Sequence, residues 1–233
     1  MTTSLTGQVK STFVLIHGAW CGGWCWERVA EILQCAGHTV YAPTLSGVGE
    51  RSHLADREIN LATHVLDVVN EIRWKDLGSI VLCGHSYGGM VITGAAEHIH
   101  PSIASIIYLD AFFPQNGQSL NDMVDVVRPA TGMIAPISAE QFNVNAADQA
   151  WVNSKLTPQS GACFSEKVTL TGAAEKVPKK AYIRATVGTL PAFQAAYERL
   201  SKAPGWKTYS MDCGHVVMID RPAELAELLM KSI

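Results

Sequence analysis

The chain contains no apolar run approaching the roughly 18 residues that a membrane-spanning helix needs. Its amino terminus, Met1 to Lys10, is polar and lacks the apolar stretch of a signal peptide. Charge is sparse and nearly balanced: 17% of residues are charged, 18 Lys and Arg stand against 21 Asp and Glu, and the net charge is −3. That balance excludes the basic face of a nucleic-acid binder, and a 48% hydrophobic fraction excludes a disordered chain. No disulfide framework shows, because the six cysteines (21, 25, 35, 83, 163 and 213) are scattered over 233 residues. Cys21 and Cys25 lie close together, but no second pair stands at zinc-site spacing, so both read as thiols. Internal repeats and low-complexity tracts are absent, and the eight histidines form no metal-ligand grouping. The expectation is a reduced, cytoplasmic, single-domain protein over residues 1–233, long enough to bury a proper core and needing no cofactor or metal.

What is present is an alternation of strand and helix signals. Thr12 to Ile16 is an uninterrupted apolar run of the kind buried on both faces of a parallel sheet. Trp26, Val29, Ile32 and Leu33 then recur at helical spacing, closed by Gly37. A second strand at 39–42 stops at Pro43, and Leu61, Val65, Val68, Val69 and Ile72 mark one face of an amphipathic helix. Later strands are expected at 80–83, 103–109, 181–186 and near 207–211, with helices over 191–200 and from Pro222, where Leu225, Leu228 and Leu229 face inward. This order implies a mostly parallel sheet of about six strands flanked by helices. Residues 112–178 differ: five prolines and scattered apolar residues without clean periodicity suggest a lid inserted at about 114–178.

The focus of the pattern is Gly84-His85-Ser86-Tyr87-Gly88-Gly89, placed between an apolar strand and a helix. A strand, a sharp turn and a helix with serine at the apex form a nucleophile elbow, G-x-S-x-G. Gly84 and Gly88 flank a backbone that leaves no room for a Cβ, and the turn lifts the Ser86 hydroxyl out of the sheet. The helix that follows points its first N–H groups at the same spot.

With His17-Gly18, the elbow and Gly214-His215 in this order, the chain resembles an α/β-hydrolase. The finer likeness is to the group of plant methylesterases, hydroxynitrile lyases and bacterial pyrethroid-hydrolase-like esterases. It is carried by His17 to Trp24, Gly47 to His53, the elbow, Tyr108 to Pro114, and Gly214-His215 with Ile219 to Pro222. Residues 12–114 and 180–233 share it, while the lid does not match closely. The resemblance implies a serine carboxylesterase in which Ser86 attacks the ester and His215, in the loop after the last strand, moves the proton. It implies an oxyanion hole of backbone N–H groups from Tyr87 and Ala19. Trp20 is the tryptophan expected to reach the pocket. His17 reads as a packing residue, His85 as pointing away from Ser86, and His38, His53, His64, His98 and His100 as surface or helix residues.

The acid departs from the group's pattern. Such proteins usually carry an aspartate after the strand that here ends near Thr186, and this chain continues Val187-Gly188-Thr189-Leu190-Pro191. Asp110, at the end of the preceding strand, is one replacement; a Ser86–His215 dyad is the other. Met123, Met133, Phe142, Trp151 and Phe164 of the lid are expected to line an apolar cavity, favouring small to medium hydrophobic esters over charged ones. Two other readings stand beside the esterase. A hydroxynitrile lyase would carry threonine at the Gly18 position and lysine at Val216, and a non-catalytic ligand-binding protein would explain a missing acid. No nucleic-acid or membrane partner is expected. A homodimer is compatible with the sequence, which does not fix the oligomeric state.

Overall fold

The computed structural model describes residues 10–55, 58–188 and 190–233. The amino-terminal residues 1–9, read above as lacking a leader, lie outside these, as does Thr189 of the acid-free loop.

Strand β1 (Thr12–Ile16) leads through a 3-10 turn to α1 (Glu27–Cys35) and β2 (Thr39–Tyr41). Then come α2 (Leu61–Trp74), β3 (Ile80–His85), α3 (Gly88–Ile99) and β4 (Ile103–Leu109). The next stretch holds only short pieces, among them β5 (Met133–Ile134), α4 (Gln149–Lys155), β6 (Gln159–Ser160) and α5 (Ala162–Ser165). Regular alternation returns with β7 (Lys179–Ala185), α6 (Pro191–Leu200), β8 (Trp206–Met211), α7 (Val217–Asp220) and α8 (Pro222–Lys231).

Six strands form one sheet in the order β2-β1-β3-β4-β7-β8, with every neighbouring pair parallel. Side chains along β3 alternate between its faces. Ile80 and Leu82 enter the core shared with α2 and α3, while Val81 and Cys83 enter the core shared with α1 and α8. Both faces are covered, which is why this strand reads as a continuous apolar run. Fully burying each aliphatic side chain contributes about 1.5–3 kcal/mol.

The helices keep the faces their spacing predicts. Val29 and Leu33 of α1 are buried, and Gly37 ends the helix at φ +90°. The Asn60 side chain accepts the Thr63 N–H at 2.9 Å, capping α2. In α8, Leu225 and Leu229 are fully buried, but Leu228 is only half-buried, because it lies at the rim of the stripe that Leu225 and Leu229 define. All six cysteines are free thiols. Among the described residues, no helix is long and apolar enough to cross a membrane.

Strand β1 sits between β2 and β3, so the chain leaves it in opposite directions on successive crossovers. Such a reversal opens a crevice at the carboxyl ends of the two central strands. The loops after β1, β3, β4, β7 and β8 all emerge at that end.

Two histidines are sealed into the fold beside this crevice. His17 donates from Nδ1 to the Gly18 carbonyl (2.7 Å) and accepts the Leu45 N–H at Nε2 (3.0 Å). His64, read from sequence as a surface or helix residue, is on α2 but fully buried. Its Nε2 donates to the Ser46 carbonyl and its Nδ1 accepts the Tyr87 hydroxyl, each at 2.9 Å. His38 is buried as well. Desolvation lowers the pKa of His17 and of His64 from 6.5 to about 4. The unfolded chain therefore takes up these protons near pH 6.5, while the folded chain resists until about 4. Stability is complete above the first value and falls through that window. Urea titrations should show the unfolding free energy dropping by several kcal/mol between about pH 7 and 4.5. A flat profile there would show that these imidazoles are not held neutral.

Candidate active site

Ser86 lies at the tip of the turn between β3 and α3 with φ +55°. A left-handed backbone costs a non-glycine residue about 1–2 kcal/mol, so the turn must be held from outside. The Ser86 N–H donates to the Leu109 carbonyl (3.2 Å), and its own carbonyl accepts from Gly89 (3.0 Å) and Phe112 (3.1 Å). The flanking glycines allow the close approach. A Cβ on Gly84 would stand 2.6 Å from the Gly88 carbonyl oxygen, and one on Gly88 would stand 2.7 Å from that of His17.

His215 approaches from the loop after β8. Its Nε2 is 2.9 Å from Ser86 Oγ and its Nδ1 is 2.6 Å from Asp110 Oδ2. The ring is oriented from several sides: it stacks on Phe193 (5.4 Å, 12°) and leans on Phe142 (5.2 Å). Its backbone N–H donates to the Phe142 carbonyl and its carbonyl accepts from His85 Nε2. His85 thus faces away from the Ser86 hydroxyl, and burial drives its pKa well below the ordinary value. With a carboxylate accepting the Nδ1 proton, the lone pair on Nε2 faces the serine hydroxyl, as a general base requires.

Asp110 also has a left-handed backbone, φ +41°, at the end of β4. Its N–H donates to the Ile183 carbonyl, and Oδ1 accepts the Ala185 N–H at 3.1 Å. The carboxylate is 1% exposed, a burial that a charge tolerates only when both oxygens are satisfied. Here one oxygen meets the imidazole and the other meets the end of β7. Three strand ends thus bring serine, histidine and aspartate into one continuous chain of hydrogen bonds.

A cavity of about 290 Å³ opens over Ser86. Ala19, Tyr87 and His215 share its floor with the serine, and Trp20 forms part of the wall. Among the described residues, the Ala19 and Tyr87 N–H groups donate to no protein acceptor. The five apolar residues expected to line the cavity separate. Phe142 lies on the wall. Phe164 is buried behind Trp20 and Tyr87, at 5.5 and 5.9 Å between rings. Met123 packs half-buried against the core, and Met133 is 43% exposed on β5. Trp151 packs edge-on against Trp24 beneath Arg28, away from the cavity. Leu120, Val124, Ile137, Leu190 and Phe193 hold the wall positions instead. Elements of two to seven residues carry too little periodicity to reveal which side chains turn inward. Phe193 had one usable signal, its place in the first turn of the helix that follows β7. No cluster of three or more His, Cys, Asp or Glu able to hold a metal occurs among the described residues.

The chain belongs to the alpha/beta hydrolase family, whose model matches residues 13–228. Within that family it stands among esterases. It is 40% identical to the carbendazim-hydrolyzing esterase of Nocardioides sp. over 94% of this chain and 98% of that one. Methylesterase 1 of Arabidopsis thaliana is 26% identical over 64% of this chain and 52% of its own length. An extracellular alpha/beta-hydrolase from a Paenibacillus species, described as sharing structural and functional homology with tobacco salicylic acid binding protein 2, superposes with a TM-score of 0.79. That match has 27% identity and covers 95% of this chain and 98% of the other.

The tightness of the turn is directly measurable. Gly88→Ala forces a methyl group onto the His17 carbonyl, a backbone atom that cannot swing aside. Overpacking of this kind costs about 1–3 kcal/mol, and urea unfolding should record it. A variant as stable as the wild type would show the turn to be looser than described.

Proposed function

We propose that the protein is a serine carboxylesterase acting through an acyl-enzyme, with Ser86, His215 and Asp110 as its catalytic residues. The observation that carries the reading is the unbroken path from Ser86 Oγ to His215 (2.9 Å) and from His215 to Asp110 (2.6 Å). Ser86 Oγ attacks the ester carbonyl as His215 Nε2 takes its proton. Asp110 holds the tautomer and balances the imidazolium charge. The unpaired N–H groups of Ala19 and Tyr87 receive the oxyanion, and His215 then protonates the departing alcohol. A water, deprotonated by the same nitrogen, releases the acid and restores the serine. Cavity size and a mostly apolar wall favour small to medium hydrophobic esters. Residues 1–233 are read as one catalytic domain, with the segment 114–178 as its lid.

Cyanohydrin cleavage is the weaker alternative. The lyases resembled here carry threonine at the Gly18 position, and a Cβ there would stand 2.9 Å from His85 Nδ1 and 3.0 Å from Ser86 Cβ. The non-catalytic reading rested on a missing acid, and Asp110 at hydrogen-bond distance from His215 weighs against it.

Ser86→Ala should abolish both fluorophosphonate labelling and p-nitrophenyl ester turnover while the protein stays folded. Undiminished hydrolysis in that variant would sink the proposal. Asp110→Asn should lower turnover by about 10⁴ with little change in melting temperature. Near-normal rates would leave a Ser86–His215 dyad as the better account. Among p-nitrophenyl esters of increasing chain length, medium-chain substrates should outpace acetate.

A further inference from the structure

One wall of the cavity over Ser86 carries a cation. Arg128 lines it together with Trp20, Val124 and Phe142. Its guanidinium carbon lies 5.2 Å from the ring centre of Trp20 and 5.2 Å from that of Phe164. Stacking on two rings holds the group over the cavity and leaves its N–H donors without a protein acceptor among the described residues. Among the described residues it has no ion pair and no hydrogen bond through its side chain. Asp125 also borders the cavity and forms no ion pair with it. Burial already lowers the Arg128 pKa, so the charge stands there at a cost.

The backbone beneath it is fixed. Asn121 accepts the Arg128 N–H at 3.0 Å and donates to the Arg128 carbonyl at 2.9 Å, closing the loop 121–128 like a clasp. Just beyond, the Gly161 N–H donates to the Gly132 carbonyl (2.9 Å), tying the following turn to β6. An arginine on the cavity wall is thus anchored at its base and supported on two aromatic faces.

We propose that Arg128 is a specificity-determining residue that binds a carboxylate carried by the substrate away from its scissile ester. The preferred substrates are then largely apolar esters with one anionic end, such as half-esters of dicarboxylic acids or esters of carboxyphenols, which reverses the sequence-based expectation that charged esters are disfavoured. A guanidinium fork matches a carboxylate with two parallel hydrogen bonds. The proposal rests on the esterase reading above and narrows its substrate class.

Two matched pairs of esters test it. One pair sets mono-4-nitrophenyl glutarate against 4-nitrophenyl pentanoate, and the other sets 4-acetoxybenzoate against phenyl acetate. The readout is the ratio of kcat/KM for the anionic over the neutral member. In Arg128→Met, which keeps an apolar side chain on the rings, that ratio should fall at least tenfold on one pair. The loss should reside mainly in KM, and Arg128→Lys should recover part of it. A ratio unchanged in both pairs, whatever the absolute rates, would overturn the proposal and leave Arg128 as packing. Failure of the wild type to hydrolyse any of the four esters would instead strike at the esterase reading.

Discussion

The arrangement at the carboxyl end of the sheet depends on one backbone constraint, the left-handed turn at Ser86. The turn is unfavourable by itself, and three hydrogen bonds from two neighbouring segments keep it closed. Those bonds join the end of β3 to the end of β4 and the start of α3, so the serine cannot relax without loosening the centre of the sheet. Asp110 repeats the device one strand away, left-handed and pinned to β7. Two strained residues on adjacent strand ends are affordable because the buried sheet beneath them is rigid. Strain of this kind, over-determined by its surroundings, fixes a side chain far better than an exposed loop does.

The same arrangement handles the electrostatics. A carboxylate as buried as that of Asp110 would be expensive alone, and it is stabilised by a strand-end N–H and an imidazole rather than by solvent. The surrounding rings of Phe142 and Phe193 exclude water from the histidine while setting its plane. Orientation and dielectric are therefore supplied by the same side chains. Beneath the floor, the neutral His64 supports Tyr87 through its hydroxyl, linking α2 to the residue that follows the serine.

How much of this the sequence discloses varies with the length of the pattern. The strands 12–16 and 103–109 and the helix 191–200 were legible to the residue, because buried runs and a proline at a helix start are local signals. The meeting of Ser86 with His215 was legible through motif and order. Asp110 was visible only as one of two options, since a carboxylate at a strand end states its neighbourhood but not its partner. The burial of His64 was hidden, because a histidine on an amphipathic helix looks the same whether its ring meets solvent or a tyrosine hydroxyl. The cavity wall was hardest to read. Trp151 and Phe164 have the right chemistry, yet one packs beneath Arg28 and the other sits behind Trp20. Such outcomes depend on contacts between segments far apart in the chain.

With Asp110 as the proposed acid at the end of β4, the loop after β7 has no proton-handling duty. In the group this chain resembles, that loop usually carries the acid. Here Gly188 and Leu190 contribute to the cavity wall instead. The proposed acid and this part of the cavity wall thereby fall on separate segments: β4 carries the one and the loop after β7 contributes to the other. Leu190, unlike the left-handed and tightly packed Gly188, is then a position where the substrate's surroundings change without touching the three residues assigned to catalysis.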